Sequence, residues 1–264
     1  MKHLYLFMFL ISSTVSAQVN TGPRFTALAS AGVSLADSWS IQQNQAGLAS
    51  IKKLTLAIAV EKPFAGYDLS TQSIILIIPF RNNVVGLSFQ RYGVTSFSEQ
   101  RTALSYAKNF GDKLYAALNF NYHSLKIENY GATQTYSVEA GLQYRLNPKF
   151  SFGVHVANPG RSAAINETYA NLPFRFQIGA SYNFSEKVML CSAFEHNFGK
   201  QTDAKFGIEY QIFSLLYLRG GVSANPFKQY AGFGVNYHQL RVDIATSSHP
   251  ALGYSPQIAL SYEF

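Results

Sequence analysis

Ten ionisable residues could do chemistry by their placement alone: Arg101, Glu139, Arg145, Arg175, Glu195, Lys205, Glu209 and Glu263, with His123 and His155. They fall on the polar side of segments whose alternate positions are apolar. Both signs are present, so they predict a paired, hydrogen-bonded network inside a lumen rather than an ion-selective ring, because charges leave water only when partnered. Catalysis has no support. No G-x-S-x-G elbow occurs, and no motif joins a serine, a histidine and a carboxylate, so the chain reads as a non-enzyme. His196, His238 and His249 stand singly, which gives no metal site, and nothing calls for a cofactor. Cys191, the sole cysteine, rules out a disulfide framework and reads as a small packing residue on a strand.

The elements that must position these charges are strands. Across residues 135–145, Tyr136, Val138, Ala140, Leu142 and Tyr144 share one face, and Thr135, Ser137, Glu139, Gly141, Gln143 and Arg145 share the other. Side chains alternate along a strand, so each such segment has one apolar and one polar face. Residues 174–184 and 204–211 repeat the split. In a soluble sandwich the apolar face would be the core; in a membrane barrel it meets lipid and the polar face lines the lumen.

Composition decides for the barrel. Charged residues make up 13% of the chain and aromatics 15%, where a soluble domain carries about 25% charge. The longest apolar run after the N-terminus, IILIIPF at 74–80, is far short of the roughly 20 residues a membrane helix needs. Low charge, many Tyr and Phe and no spanning helix predict an all-β, transmembrane antiparallel β-barrel. Tyr106, Phe110, Tyr122, Tyr144, Tyr182, Phe184 and Tyr237 lie near strand ends, as an aromatic girdle requires. Tight turns near 81–83, 111–112, 147–148, 185–186, 213–214 and 238–239 alternate with longer loops near 61–68, 92–98, 128–131, 158–172, 198–201, 224–228 and 247–253. That punctuation gives about fourteen strands, an even number that brings both termini to the periplasmic side. The net charge of +7 suits outer-membrane lipid head groups, and nothing clusters like a nucleic-acid footprint.

Three regions follow. Residues 1–17 read as a signal peptide, with an apolar stretch at 4–11 and a small-x-small site at Val15-Ser16-Ala17. Residues 18–50 read as an N-terminal plug, because 21–49 is the one long stretch without strand alternation. Residues 51–264 form the barrel. The last strand carries Tyr262 and the terminal Phe264 on its apolar face, similar to the signal read by the outer-membrane barrel-assembly machinery.

The plug carries a resemblance. Arg24, Ala27-Leu28, Gly32-Val33, Asp37, Trp39 and Asn44-Gln45-Ala46-Gly47-Leu48-Ala49 resemble the N-terminal signature of the PorV/PorQ family, outer-membrane barrels related to FadL-type transporters. Gln45 stands where that family has Pro, and Ala29 where it often has Gly. The resemblance implies a barrel of about fourteen strands with its N-terminal segment folded inside, and site residues Arg24, Gly32, Asp37, Trp39, Asn44 and Gly47 in the plug. It also implies an accessory or scaffold subunit with protein partners in an envelope complex of the type IX secretion kind. The alternative expectation is a FadL-like channel for small solutes. A polar lumen counts against a fatty-acid route, and the 158–172 loop is the expected external contact.

Overall fold

The computed structural model of the protein describes residues 20–63, 68–160, 172–198, 201–249 and 253–264. The expected signal peptide and most of the 158–172 loop lie outside them. From Thr55 onward the chain is strand after strand: β1 (Thr55–Glu61), β2 (Ser70–Phe80), β3 (Asn83–Gly93), β4 (Phe97–Phe110), β5 (Leu114–Ile127), β6 (Gly131–Asn147) and β7 (Phe150–Ala157) make the first half. The second half is β8 (Arg175–Asn183), β9 (Val188–Asn197), β10 (Asp203–Phe213), β11 (Leu216–Ala224), β12 (Phe227–Tyr237), β13 (Leu240–His249) and β14 (Gly253–Glu263). Each strand pairs antiparallel with its sequence neighbours, and β1 closes on β14 from Thr55↔Glu263 to Glu61↔Gln257. Closure leaves no open edge, the condition for a sheet to live in lipid. All-β, antiparallel and fourteen-stranded is what the alternation predicted.

Side-chain parity divides the wall. Ile58, Leu87, Leu104, Leu118, Phe120, Val138, Phe194, Phe206 and Ile258 point outward and are exposed, although they are large and apolar. A protein in water does not leave such a belt uncovered; lipid is its natural solvent. Aromatic rings gather at the side of the short turns. Phe150 packs on Phe152 with ring centroids 4.6 Å apart, and Tyr262 on Phe264 at 4.8 Å.

The inner face is covered by residues 21–50, which fold as α1 (Pro23–Ala27) and three 3₁₀ turns at Gly32–Ser34, Ser38–Gln42 and Gln45–Ser50. Phe25, Leu28, Trp39, Ile41 and Leu48 are fully buried there. They form one apolar cluster with inward-facing Ala57, Ala59, Ile75, Ile77 and Val84 of β1–β3. The IILIIPF run is apolar on both faces for this reason: one face meets lipid and the other meets the plug.

Candidate functional site: the plug and its anchors

The plug touches the wall most closely where the wall has no side chain. A Cβ on Gly153 would stand 2.1 Å from the Val33 carbonyl oxygen, and one on Gly221 would stand 2.7 Å from the Ala29 nitrogen. Inward glycines at these points let plug backbone lie directly on the strands. Within the plug, a Cβ on Gly32 would meet Phe25 at 2.6 Å, and one on Gly47 would meet Leu35 O at 2.5 Å. Both are therefore required for close approach.

On the β10–β13 side the plug is held by charge. Arg24 of α1 donates from Nε and Nη2 to both oxygens of Glu209 on β10, at 2.9 and 2.7 Å, and its Nη1 reaches Asp37 at 2.8 Å. Asp37 also pairs with Arg241 of β13 at 2.8 Å, and Arg241 pairs with Asp243 at 2.7 Å. Arg219 of β11 completes the circuit, 2.6 Å from Asp243 and 2.6 Å from Glu209. Six groups thus form a closed ring in which every guanidinium lies between two carboxylates and every carboxylate between two guanidiniums. The ring is neutral, the arrangement that makes burial of charge tolerable. Its reach across the sheet depends on Gly234: Arg219 and Asp243 belong to strands on either side of β12, and a Cβ on Gly234 would stand 2.4 Å from Asp243 Oδ1 and 2.6 Å from Arg219 Nη1.

Asp37 does a second job in this ring. It caps the Ser38–Gln42 turn, accepting from the Trp39 N–H at 3.0 Å while Ser40 Oγ accepts from its own N–H at 3.1 Å, a capping box. Burial pushes its carboxyl up, but the Arg241 and Arg24 guanidiniums beside it, with the Trp39 N–H, hold it well below the usual carboxylate range. Burial likewise opposes charge on Arg24, and Glu209 and Asp37 outweigh it, so the guanidinium is held more firmly protonated.

On the β4–β7 side the anchors are mostly amides. Gln45 Nε2 donates to Glu139 at 2.6 Å, and Arg101 donates to Glu139 at 2.8 Å and to the Gln42 amide oxygen at 3.1 Å. Asn119 also reaches Glu139, at 3.2 Å, and His155 lies 3.4 Å from it. Asn44 caps the last turn through Ala46 N–H and donates to the carbonyls of Val33, Leu142 and Val154. Gln45, at the position where the resembled family has Pro, is therefore a tie to the wall. Ala29, where that family has Gly, adopts φ 55°, and Ser30 follows at the same value; Gln43 Nε2 holds the Ser30 carbonyl in place.

The structure places the predicted luminal charges in four settings. Arg101 and Glu139 join the amide-side anchor, with His155 beside them, and Glu209 joins the ring. Glu195 and Lys205 pair at 2.7 Å nearer the longer loops, where Gln177 also donates to Glu195. Arg175 is half-buried and makes no ion pair among the described residues. Two expectations are corrected. Arg145 has inward parity but lies exposed at the turn-side rim, where the register shifts, with its guanidinium 5.4 Å from the Tyr115 ring centre. Glu263 is also exposed at that rim, 3.4 Å from Lys53. Both strands run on past the plug, so parity alone overstated the lumen. His123 bonds Ser137 Oγ at 2.9 Å, and Cys191 is buried against Gly207. Sequence reading missed Arg219, Arg241 and Asp243, half of the ring. The signal was available, since Tyr217, Arg219, Gly221 and Ser223 alternate with Leu218, Gly220 and Val222.

Fold and site together define a fourteen-strand barrel filled by its own N-terminal segment. No protein-family model matches the sequence, and no curated protein matches it by sequence. Solved structures do match the fold. The Pseudomonas putida toluene transporter TodX aligns with a TM-score of 0.70 at 12% identity, over 94% of this chain and 99% of that one. The Ralstonia pickettii toluene transporter TbuX gives 0.69 at 13%, over 92% and 98%. A Pseudomonas aeruginosa FadL homologue gives 0.67 at 11%, over 92% and 98%. This chain shares the FadL-type fold with them.

Proposed function

We propose that the chain is an outer-membrane channel of the FadL type that admits small, largely apolar solutes, with the plug as its movable barrier and the longer loops facing outside. The observation that carries this reading is how the plug is attached. Among the described residues, every backbone hydrogen bond made by 22–51 outside the strands stays within the segment, from Thr26 N–H to Gly22 O through Ile51 N–H to Leu48 O. Only side chains tie it to the wall, so it can shift without breaking a sheet. The fold shared with two toluene transporters points the same way.

A second reading, an accessory subunit of an envelope complex, is favoured by the PorV/PorQ resemblance of the plug and by the tightness of its seal. One experiment separates the two. Gram-negative cells with an intact outer membrane, carrying the gene or an empty vector, are given radiolabelled toluene and benzyl alcohol. A channel raises initial uptake of at least one solute above vector. Equal uptake throughout, with stoichiometric envelope proteins co-purifying from gently solubilised membranes, would replace the channel by the subunit.

A further inference from the structure

The side chains lining the loop-side lumen are not equally satisfied. On the inner face of β2–β6, one register row runs Ser73↔Gln90↔Arg101↔His123↔Thr135. Among the described residues, Ser73 Oγ, Gln90 Nε2 and Thr135 Oγ1 on this row have no hydrogen-bond partner, nor has Ser88 Oγ one row below. Gln42 Nε2, on the plug beside Arg101, has none either. The five residues are 1% to 6% exposed. A buried polar group left unpaired costs about 1–3 kcal/mol, and folded proteins pair the great majority of them. Other unpaired atoms in the barrel are dispersed, such as Ser34 Oγ and Asn236 Oδ1, or belong to groups already in ion pairs, such as Arg241 and Asp243. These five do not.

Their chemistry defines what would satisfy them. Amide nitrogens only donate, and hydroxyls can donate, so the partner must carry acceptors. Arg101, the charged residue on this row, is neutralised by Glu139 at 2.8 Å, so the partner need not be charged. Ala103 shares the same inner face, two residues along β4 from Arg101, and offers apolar contact beside the polar groups.

We propose that the β2–β6 face of the lumen, over the plug, is a binding site for a small uncharged solute with an apolar body and an oxygen function, an alcohol or carbonyl compound rather than a bare hydrocarbon. This rests on the channel reading and names its solute class. The site lies where a solute entering from the loops first meets the plug, and the Gln42 amide makes the plug part of it.

The test compares toluene with benzyl alcohol, which differ by one hydroxyl, by calorimetric titration of the full protein in nanodiscs with empty nanodiscs subtracted. Benzyl alcohol should bind about tenfold more tightly, as expected from one or two neutral hydrogen bonds. The Ser88→Ala/Gln90→Leu double variant, which leaves Arg101, Glu139, Gln42 and Gln45 in place, should lose that preference. Both changes remove unpaired groups, so the variant should fold at least as well, checked by its heat-modifiable gel mobility. Equal binding of the two ligands, or a preference the variant keeps, overturns the site, and the groups then hold water only. The uptake assay judges the channel independently. A preference in binding without any uptake above vector retains the site and removes the channel.

Discussion

The two walls that hold the plug do it differently. Toward β10–β13, six charges close on themselves, and each of the six has two ionic partners. Toward β4–β7 the plug offers neutral amides, Gln42, Asn44 and Gln45, and the one ion pair, Arg101–Glu139, belongs wholly to the wall. A closed ionic ring is stiff and fails as a unit, because removing any member leaves its largely buried neighbours short of a partner. Amide bonds to a wall can be exchanged one at a time for bonds to water or solute. On the channel reading, the contrast predicts hinge behaviour at the ring and gating behaviour at the amide wall, whose β6 also carries the unpaired Thr135 hydroxyl.

The largest test of that contrast is Arg219→Met. It leaves Glu209 and Asp243 short of a partner and should cost roughly 3–5 kcal/mol, seen as early release of the plug in guanidinium titrations of detergent-solubilised protein. A smaller loss would mean that the ring is looser than its geometry. Next is Gly153→Ala, which sets a methyl against the Val33 carbonyl, part of the backbone. Overpacking of this kind costs about 1–3 kcal/mol, and faster trypsin cleavage within the plug would report it. Gln45→Leu removes a single wall tie while Arg101 still neutralises Glu139, and about 1 kcal/mol is expected. If Gln45→Leu proved as damaging as Arg219→Met, the division into hinge and gate would fall.

Acid offers a finer probe. Asp37 has a depressed pKa in the folded plug, so the stability it contributes is fully present above the unfolded carboxylate range near 4 and is lost as pH falls through its lower folded value. Trp39, the chain's one tryptophan, is buried two residues away. Its emission should hold constant from pH 8 to pH 4 and shift red only in stronger acid; a transition near pH 5 would assign plug release to another group. The smallest effect is Ala29→Gly. Glycine relieves a positive φ at a cost in unfolded-state entropy, so a net gain of about 0.5–1 kcal/mol is expected from guanidinium midpoints.

Much of this molecule was legible in its alternation. The parity of 135–145 placed Glu139 inside and Tyr136 and Val138 outside, and the turn residues counted the strands. The absence of alternation over 21–49 separated the plug from the wall. These features are local: each follows from two-residue periodicity and from what a given backbone geometry tolerates. The same periodicity would have found Arg219, Arg241 and Asp243, but their strands carry Gly220-Gly221 and polar stretches that blur the apolar face.

What the sequence determined by itself was the class of fold, because a chain with an apolar face on strand after strand and no spanning helix can satisfy its backbone in lipid only by closing a barrel. What the tertiary structure alone decided was partnership. Arg24 meets Glu209 across 185 residues, and Arg241 meets Asp37 across 204. Such pairs depend on barrel closure, on register, and on a glycine at 234 that leaves the gap between β11 and β13 open. No local rule encodes those conditions, since they exist only once every strand is in place.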